Sequence, residues 1–208
     1  MKNLIFVLLF SSVLFVSCKT NDPALEYKYN TNPTYSWGYA EFYGPYYSEY
    51  MNDNNVISLS LFSDSLFIDS TGSLDGIGQY LFLEDVFISP TDTILPDGVY
   101  EISKSEAPFT VAPGEKFKAD NNEYVIGASI YFIEKKSNFS VQKLISRGSF
   151  TVESMNNTKY IDFNFVLTDS TKLKGKFSTE LPHFDQSIAT PPSSVRKKLK
   201  LKSGPVIF

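Results

Sequence analysis

Apolar and polar side chains alternate along several stretches of the chain, and this two-residue period limits the possible folds more than any other feature. In the clearest stretch, Ile161, Phe163, Phe165 and Leu167 alternate with more polar neighbours. Because successive side chains of a β-strand point to opposite faces, such a stretch buries one face and exposes the other. The same alternation recurs in three further stretches, 57–61, 147–153 and 172–177.

Two other stretches, 79–88 and 124–133, are apolar on both faces, as in strands that are covered on both sides. Residues that favour tight turns separate the stretches. Beyond the N-terminal segment, no stretch of the sequence shows a clear apolar stripe at the helical period of 3.6 residues. The pattern therefore predicts an all-β fold, an antiparallel meander of about eight to ten strands.

The strands of such a meander can be arranged in two ways. Closure into a barrel removes the exposed sheet edges that long strands must otherwise protect. We therefore expect a barrel-like fold, which resembles the calycin group. A β-sandwich of two packed sheets is the alternative.

The N-terminus has the layout of an export signal. A single charged residue, Lys2, precedes an apolar stretch that extends to Val16 and is interrupted only by Ser11 and Ser12. A stable membrane-spanning helix needs about 20 apolar residues, and this stretch is shorter. A short positive end followed by an apolar stretch is typical of a signal peptide that is removed, here residues 1–17.

The apolar stretch ends in Phe15-Val16-Ser17-Cys18, which resembles the lipobox of bacterial lipoproteins, although Phe15 stands where leucine is usual. In that family the signal is cut just before the cysteine, which then carries acyl chains such as palmitate. The resemblance implies lipidation of Cys18, the only cysteine, so that no intramolecular disulfide can form. The stretches 148–152, 160–167 and 173–177 are also similar to the C-terminal hairpins of Bacteroidota-type lipoproteins, which implies no particular chemistry.

The chain divides into four predicted segments: the signal peptide 1–17, the lipidated cysteine and flexible tether 18–33, a single β domain 34–190, and a basic tail 191–208. The tail is either a final edge strand, loose chain, or a segment that rests on anionic headgroups. The lipid anchor places the protein in the cell envelope, and we expect the outer membrane. The periplasmic and surface faces both remain open.

The charge of the chain is unevenly distributed. Without Lys2 the chain has 18 basic and 23 acidic residues, and five of the basic residues lie in the tail. The remaining 13 basic residues leave the body of the chain with a net charge of −10. A body this acidic repels phosphate backbones, so we expect no binding to nucleic acid.

Aromatic residues are concentrated between positions 35 and 50. The candidates for ligand binding are Tyr35, Trp37, Tyr39, Tyr43, Tyr46 and Tyr47. Those at positions 35, 37, 39 and 43 share one parity and line one face of a strand if no bulge intervenes. Such a face can stack on sugars or anchor a protein partner. Packing in the core of the domain is the alternative interpretation.

The sequence offers little for catalysis. His183 is the only histidine, it follows the last strong strand, and no nucleophile elbow of the G-x-S-x-G type is present. We predict a surface or loop position for it. Glu84 and Asp85 interrupt an apolar strand, where a carboxyl pKa can be raised; the simpler expectation is that one faces solvent and the other pairs with a lysine.

The sequence predicts no metal centre or other cofactor. Two sets of oxygen-bearing side chains, Asp64, Asp69 and Asp75 and the run 120–123, suit calcium but match no EF-hand loop. We therefore expect a non-enzymatic envelope lipoprotein that binds a glycan, a small apolar ligand or an envelope protein. The alternative is a carboxylate-dependent hydrolase acting on an extracellular polysaccharide or peptide.

Overall fold

The computed structural model describes residues 29–119 and 122–187, which form β-strands, turns and one turn of 3-10 helix at Ser48–Tyr50. The prediction of an all-β fold is confirmed. The strands are β1 Thr34–Tyr35, β2 Trp37–Gly44, β3 Asn55–Phe62, β4 Leu66–Ile68, β5 Leu74–Ile88, β6 Gly98–Ile102, β7 Thr110–Val111, β8 Glu115–Ala119, β9 Asn122–Ile126, β10 Ser129–Glu134, β11 Phe139–Met155, β12 Thr158–Leu167, β13 Lys172–Thr179 and β14 His183–Asp185.

Twelve of these strands form one large, mostly antiparallel sheet, and β8 and β9 form a small second sheet. The order in the large sheet is β1-β13-β12-β11-β6-β7-β5-β3-β2-β14, with β10 between β5 and β11 and with β4 beside β5. Strands β5, β10, β11, β6 and β7 form a ring of hydrogen-bonded neighbours. The large sheet as a whole is not closed as a barrel.

The described residues contain fourteen strands rather than the expected eight to ten, because breaks and bulges divide the chain more finely than its polarity pattern indicates. The stretch 124–133, which appears continuous in the sequence, is divided between β9 and β10. Gly127, at the division, has φ of +76°, and a Cβ there would lie 2.1 Å from the Pro113 carbonyl oxygen. The backbone therefore turns at this glycine and leaves one sheet for the other.

The core lies inside the large sheet and confirms the predicted alternation. Ile161, Phe163, Phe165 and Leu167 of β12 are all at most 4% exposed, whereas Asp162 and the other polar positions face solvent. The largest fully buried side chains fill the interior; they include Tyr35, Tyr100, Phe150, Phe165 and Phe177. Side chains thus occupy the space in which a barrel of the ligand-carrying type holds its ligand.

The last residues of the predicted tether pack against the folded body. Tyr29 is 7% exposed and its hydroxyl donates a 2.7 Å hydrogen bond to the Val141 carbonyl. The carbonyls of Thr31 and Pro33 accept hydrogen bonds from β13. The folded body therefore includes residues 29–33 of the predicted tether. The signal peptide, Cys18, the basic tail, Asp120 and Asn121 lie outside the described residues.

Candidate functional site

A row of aromatic side chains crosses the outer face of the large sheet, opposite the core. Trp37, Phe62, Tyr80 and Tyr131 are direct cross-strand neighbours on β2, β3, β5 and β10. Their ring centroids lie 4.0, 5.2 and 4.5 Å apart along the row, and each pair is stacked. The Gln142 amide on β11 donates to the Tyr131 hydroxyl and ends the row. Because the rings stack on one another, the row presents mainly ring edges and hydroxyls to solvent.

The aromatic residues predicted as a binding site do not all share one face. The break between β1 and β2 at Ser36 turns Tyr35 into the core, where it is 1% exposed. Trp37 and Tyr39 point outward and are half-buried. Tyr39 contacts Phe62 at 5.9 Å and the exposed Phe184 at 6.0 Å between ring centroids.

The other three predicted aromatics lie around the end of β2. Tyr43 lies at a register shift between Phe42 and Gly44. Its side chain is 6% exposed and donates a 3.3 Å hydrogen bond to the Glu41 carboxylate. Tyr47 is fully buried, and Tyr46 packs edge-on against it. Exposed surface therefore remains on Trp37, Tyr39 and Tyr46, and ligand binding through them stays a prediction.

Burial keeps the tyrosine hydroxyls of this face protonated. It raises the pKa of Tyr39, of Tyr80 and of Tyr131 above the usual value of 10.0. For Tyr131 the Ser129 hydroxyl and the Gln142 amide partly oppose that rise in pKa. The row therefore offers hydrogen-bond donors, rather than charges, at neutral pH.

Glu84 and Asp85 are both buried, at 5% and 0% exposure, so the expectation that one of them faces solvent is wrong. The backbone N–H of Gly127 donates a 2.6 Å hydrogen bond to Glu84. The Tyr47 hydroxyl lies 3.1 Å from each carboxylate oxygen of Asp85. A register shift between Ile57 and Leu59 on the facing strand β3 accompanies these two acids. Their hydrogen bonds join neighbouring segments of the fold.

A polar groove of about 480 Å³ lies on another part of the sheet, over β1, β13, β12 and β11. Two cross-strand rows of outward-facing side chains line it. The first row is Thr34, Lys176, Asp162 and Thr151, and the second is Lys174, Asn164 and Ser149. Hydroxyl, amide, ammonium and carboxylate groups all face this open groove, which is the combination that hydrogen-bonds sugar hydroxyls and acidic groups.

Basic side chains are concentrated at one end of the groove. Beyond Lys174, the next cross-strand row places Lys172 on β13 and Arg147 on β11, with Val166 between them. Within the described residues, none of these side chains, nor that of Lys176, takes part in an ion pair. Alternate residues of a strand lie about 6.6 Å apart and neighbouring strands about 4.8 Å apart, so the charges cover one continuous patch.

Two acids lie toward the other end of the groove, whereas Asp169, in the turn before Lys172, forms an ion pair with Lys143. Asp162 is opposite Lys176, and Glu153 follows Thr151 by two positions on β11. The groove therefore contains one carboxylate, Asp162, whereas glycosidic hydrolysis needs a pair facing each other at about 5–10 Å.

His183 is half-buried in the short strand β14 rather than in a loop. Its Nε2 accepts a 3.0 Å hydrogen bond from the Leu95 backbone N–H, so its Nδ1 carries the proton and faces the Leu181 carbonyl at 3.0 Å. Burial lowers the pKa of His183 below its usual 6.5. Both ring nitrogens are thus engaged with backbone groups of two segments, one at Leu95 and one at Leu181, which leaves neither for general-base catalysis.

Of the calcium candidates, Asp64, Asp69 and Asp75 lie within the described residues, whereas Asp120 and Asn121 lie outside them. Asp69 lies in the turn between β4 and β5, where it accepts hydrogen bonds from Thr71 and from the Ser73 backbone. In the described parts of the chain, no three His, Cys, Asp or Glu side chains come together as a metal site. Those same residues include no helix long and apolar enough to cross a membrane.

Comparison of the chain with known protein families, with curated proteins and with solved structures gives no significant match.

Proposed function

We propose that the protein is a lipid-anchored component of the bacterial cell envelope that binds an acidic glycan without transforming it. The lipobox-like segment ending in Cys18 supports the anchor, and the groove over β11, β12 and β13 supports the ligand class. The observation that carries the proposal is the basic patch of Lys172, Lys174, Lys176 and Arg147, which forms no ion pair with any described residue and lies beside neutral hydrogen-bonding groups.

Charge complementarity favours an acidic ligand over a neutral one. The body of the chain has a net charge of −10, so a local group of four basic side chains is a departure from its surroundings. Asn164, Ser149 and Thr151 lie within the same groove and can hydrogen-bond hydroxyls of the same ligand. A carboxylate or phosphate group of a sugar fits the end formed by Lys172, Lys174 and Arg147, since charged hydrogen bonds are the stronger ones.

A direct test uses the chain from residue 18 onward, carrying the substitution Cys18→Ser. This protein is titrated separately with an oligogalacturonate and with a neutral galactose oligomer of equal length. We expect the acidic oligomer to bind more tightly, with an affinity that falls as salt is added. The double variant K172Q/K174Q is expected to lose about tenfold or more in affinity.

The matched control is K118Q/K136Q, which removes two exposed lysines of β8 and of the turn between β10 and β11. Equal affinity of the two double variants, or equal binding of both oligomers, overturns the glycan proposal. The anchor is tested separately by mass spectrometry of the protein from its native host. An N-terminus other than an acylated Cys18 overturns that part.

A further inference from the structure

The chain enters its folded body beside the start of β5 and the start of β11. The Asn30 backbone N–H donates a 3.1 Å hydrogen bond to the Gln79 side chain, which returns one of 3.1 Å to the Asn30 carbonyl. The Tyr29 hydroxyl bonds the Val141 carbonyl close by. These contacts place Tyr29 and Asn30, the first described residues, at this end of the domain.

A hairpin formed by β4 and the first residues of β5 extends beyond that entry point. It carries three exposed apolar side chains: Phe67 at 51%, Ile68 at 50% and Ile77 at 48%. Gly72, in the turn of the hairpin, is seven residues before Gln79, so the turn extends about 23 Å beyond the entry point if the strands are straight. Phe67 and Ile68 are consecutive on β4, so their side chains face opposite sides of the hairpin. Exposed apolar groups on both sides of one hairpin mark it as a contact surface.

The turn of this hairpin has a fixed shape. Asp69 accepts hydrogen bonds from the Thr71 backbone, the Thr71 hydroxyl and the Ser73 backbone at 2.6–3.0 Å. These bonds lower the pKa of Asp69 below its usual 3.8. The carboxylate is therefore charged at neutral pH, and the turn suits a hydrated headgroup layer rather than hydrocarbon.

The turn between β10 and β11 lies at the same end. Its Lys135 backbone N–H donates a 3.1 Å hydrogen bond to the Gly76 carbonyl, which fastens this turn to the hairpin. Lys135 and Lys136 are exposed, and Glu134 and Asp75 lie beside them. The mixture of charges fits the zwitterionic headgroups of a phospholipid surface, with apolar side chains reaching the acyl boundary.

We infer that this end of the domain, the β4–β5 hairpin with Phe67, Ile68 and Ile77, rests on the phospholipid surface of the membrane that holds the Cys18 anchor. The inference depends on the proposed lipid anchor. Residues 19–28 span at most about 36 Å when fully extended, so the anchor keeps the hairpin within reach of the bilayer. Under such confinement a weak apolar contact suffices for persistent docking.

The docking also orients the polar groove. Ser149, in the groove, lies ten residues along β11 from Phe139, where that strand begins beside the hairpin end. This separation is at most about 33 Å, because β11 has a bulge between Ile145 and Arg147. When the hairpin contacts the membrane, the groove therefore lies away from the lipid headgroups and is accessible to a glycan.

The chain contains its own reporter for this contact. Trp37 is the only tryptophan, and its indole N–H bonds the carbonyl of Leu66, the residue that precedes Phe67. Because Cys18 is the only cysteine, the chain from residue 18 onward can be coupled through it to a maleimide phospholipid, whether or not native acylation occurs. In phosphatidylcholine vesicles with acyl chains brominated near the headgroup, we expect strong quenching of Trp37 fluorescence.

The variant F67S/I68S is expected to lose at least half of that quenching while its circular dichroism is unchanged. The control is M155S, which replaces an apolar residue that is 63% exposed at the opposite end of β11. Equal quenching of F67S/I68S and wild type, or no quenching of wild type, overturns the inference. The inference is also overturned if the hairpins of two copies crosslink to each other on the vesicles, whether or not the lipid is brominated. Mass spectrometry that finds no native acylation instead removes the anchor proposal, and the coupled chain still tests the hairpin.

Discussion

The indole N–H of Trp37 on β2 donates a 2.6 Å hydrogen bond to the backbone carbonyl of Leu66, the first residue of β4. The same indole ring stacks on Phe62, with 4.0 Å between the ring centroids. One side chain therefore ends the aromatic row and also fastens the β4–β5 hairpin to the outer face of the sheet.

Separate substitutions distinguish these two contributions of Trp37. Trp37→Phe retains an aromatic ring for stacking but removes the donor to Leu66, and we expect a loss of about 1 kcal/mol in the free energy of unfolding. Trp37→Ala also removes the ring, and we expect a loss of about 2–3 kcal/mol, below the range for fully buried tryptophans. Urea unfolding followed by circular dichroism measures both. Equal losses in the two variants would show that the stacked ring contributes nothing.

The two-residue period of the sequence predicted which side chains enter the core but not how the strands are assembled. In 161–167 and 172–177 the alternation is local, so the polarity of each residue was enough to assign its face. The break at Ser36 places Tyr35 and Trp37 on opposite faces, although their shared parity predicts one face. No change in the polarity of the sequence marks this break. Breaks of this kind depend on tertiary contacts.

The groove was missed for a related reason. The alternating lysines of β13 are visible in the sequence, yet Arg147 lies 25 residues before Lys172 and meets the patch only through the register of β11, β12 and β13. Register depends on hairpin lengths and on the bulge between Ile145 and Arg147. The sequence pattern therefore indicates only the β13 side of the groove, and the residues of β11 and β12 join it through the pairing of the strands.

Gly148, which lies beside the groove on β11, has no room for a side chain. Its φ is +124°, and a Cβ there would lie 2.3 Å from the Asn164 carbonyl oxygen and 2.7 Å from the Phe165 Cα. We expect Gly148→Ala to lower the free energy of unfolding by about 2–4 kcal/mol, because the backbones of β11 and β12 must separate.

Gly72 is the matched control for this substitution. It also has a positive φ, of +81°, but no heavy atom lies within 4 Å of the position of its Cβ. Gly72→Ala is expected to cost about 1 kcal/mol, the strain of the left-handed backbone alone. If denaturant unfolding gives the two variants equal losses, the close approach of β11 and β12 at Gly148 has no energetic effect.

Tyr47 and Asp85 form a buried polar contact between the loop after β2 and the long strand β5. Both residues are 0% exposed, and the Tyr47 hydroxyl is 3.1 Å from each carboxylate oxygen. Tyr47→Phe keeps the ring but removes a donor from a buried carboxyl group, and we expect a loss of about 1–3 kcal/mol in the free energy of unfolding.

The control for Tyr47 is Tyr160→Phe, at a solvent-facing position of β12. Removal of the Tyr160 hydroxyl is expected to change the free energy of unfolding by less than about 0.5 kcal/mol. Urea titrations of the two variants, fitted with a common slope, give the comparison. A loss for Tyr47→Phe no larger than that for Tyr160→Phe would contradict a stabilising role of the buried contact.

His183 makes the stability of the domain depend on pH near neutrality. Burial lowers its pKa in the folded chain below 6.5, so between these two values the unfolded chain binds more protons. Stability must then decrease as the pH falls through 6.5 toward the pKa of the folded state, and level off below it. The cause is structural, because Nε2 must remain unprotonated to accept the hydrogen bond from the Leu95 N–H.

We expect the melting temperature at pH 5 to lie below that at pH 7.5, by an amount on the order of 1 °C because the ring is half exposed to solvent. His183→Gln keeps an acceptor near the Leu95 N–H and has no titrating group, so its melting temperature should change less over this interval. The pKa values of Asp97 and Asp169 are lowered below 3.8 by hydrogen bonds, chiefly from Ser154 and from Lys143, so these acids stay ionised throughout. Parallel pH profiles for wild type and His183→Gln would rule out the His183 hydrogen bond as the source of the pH dependence.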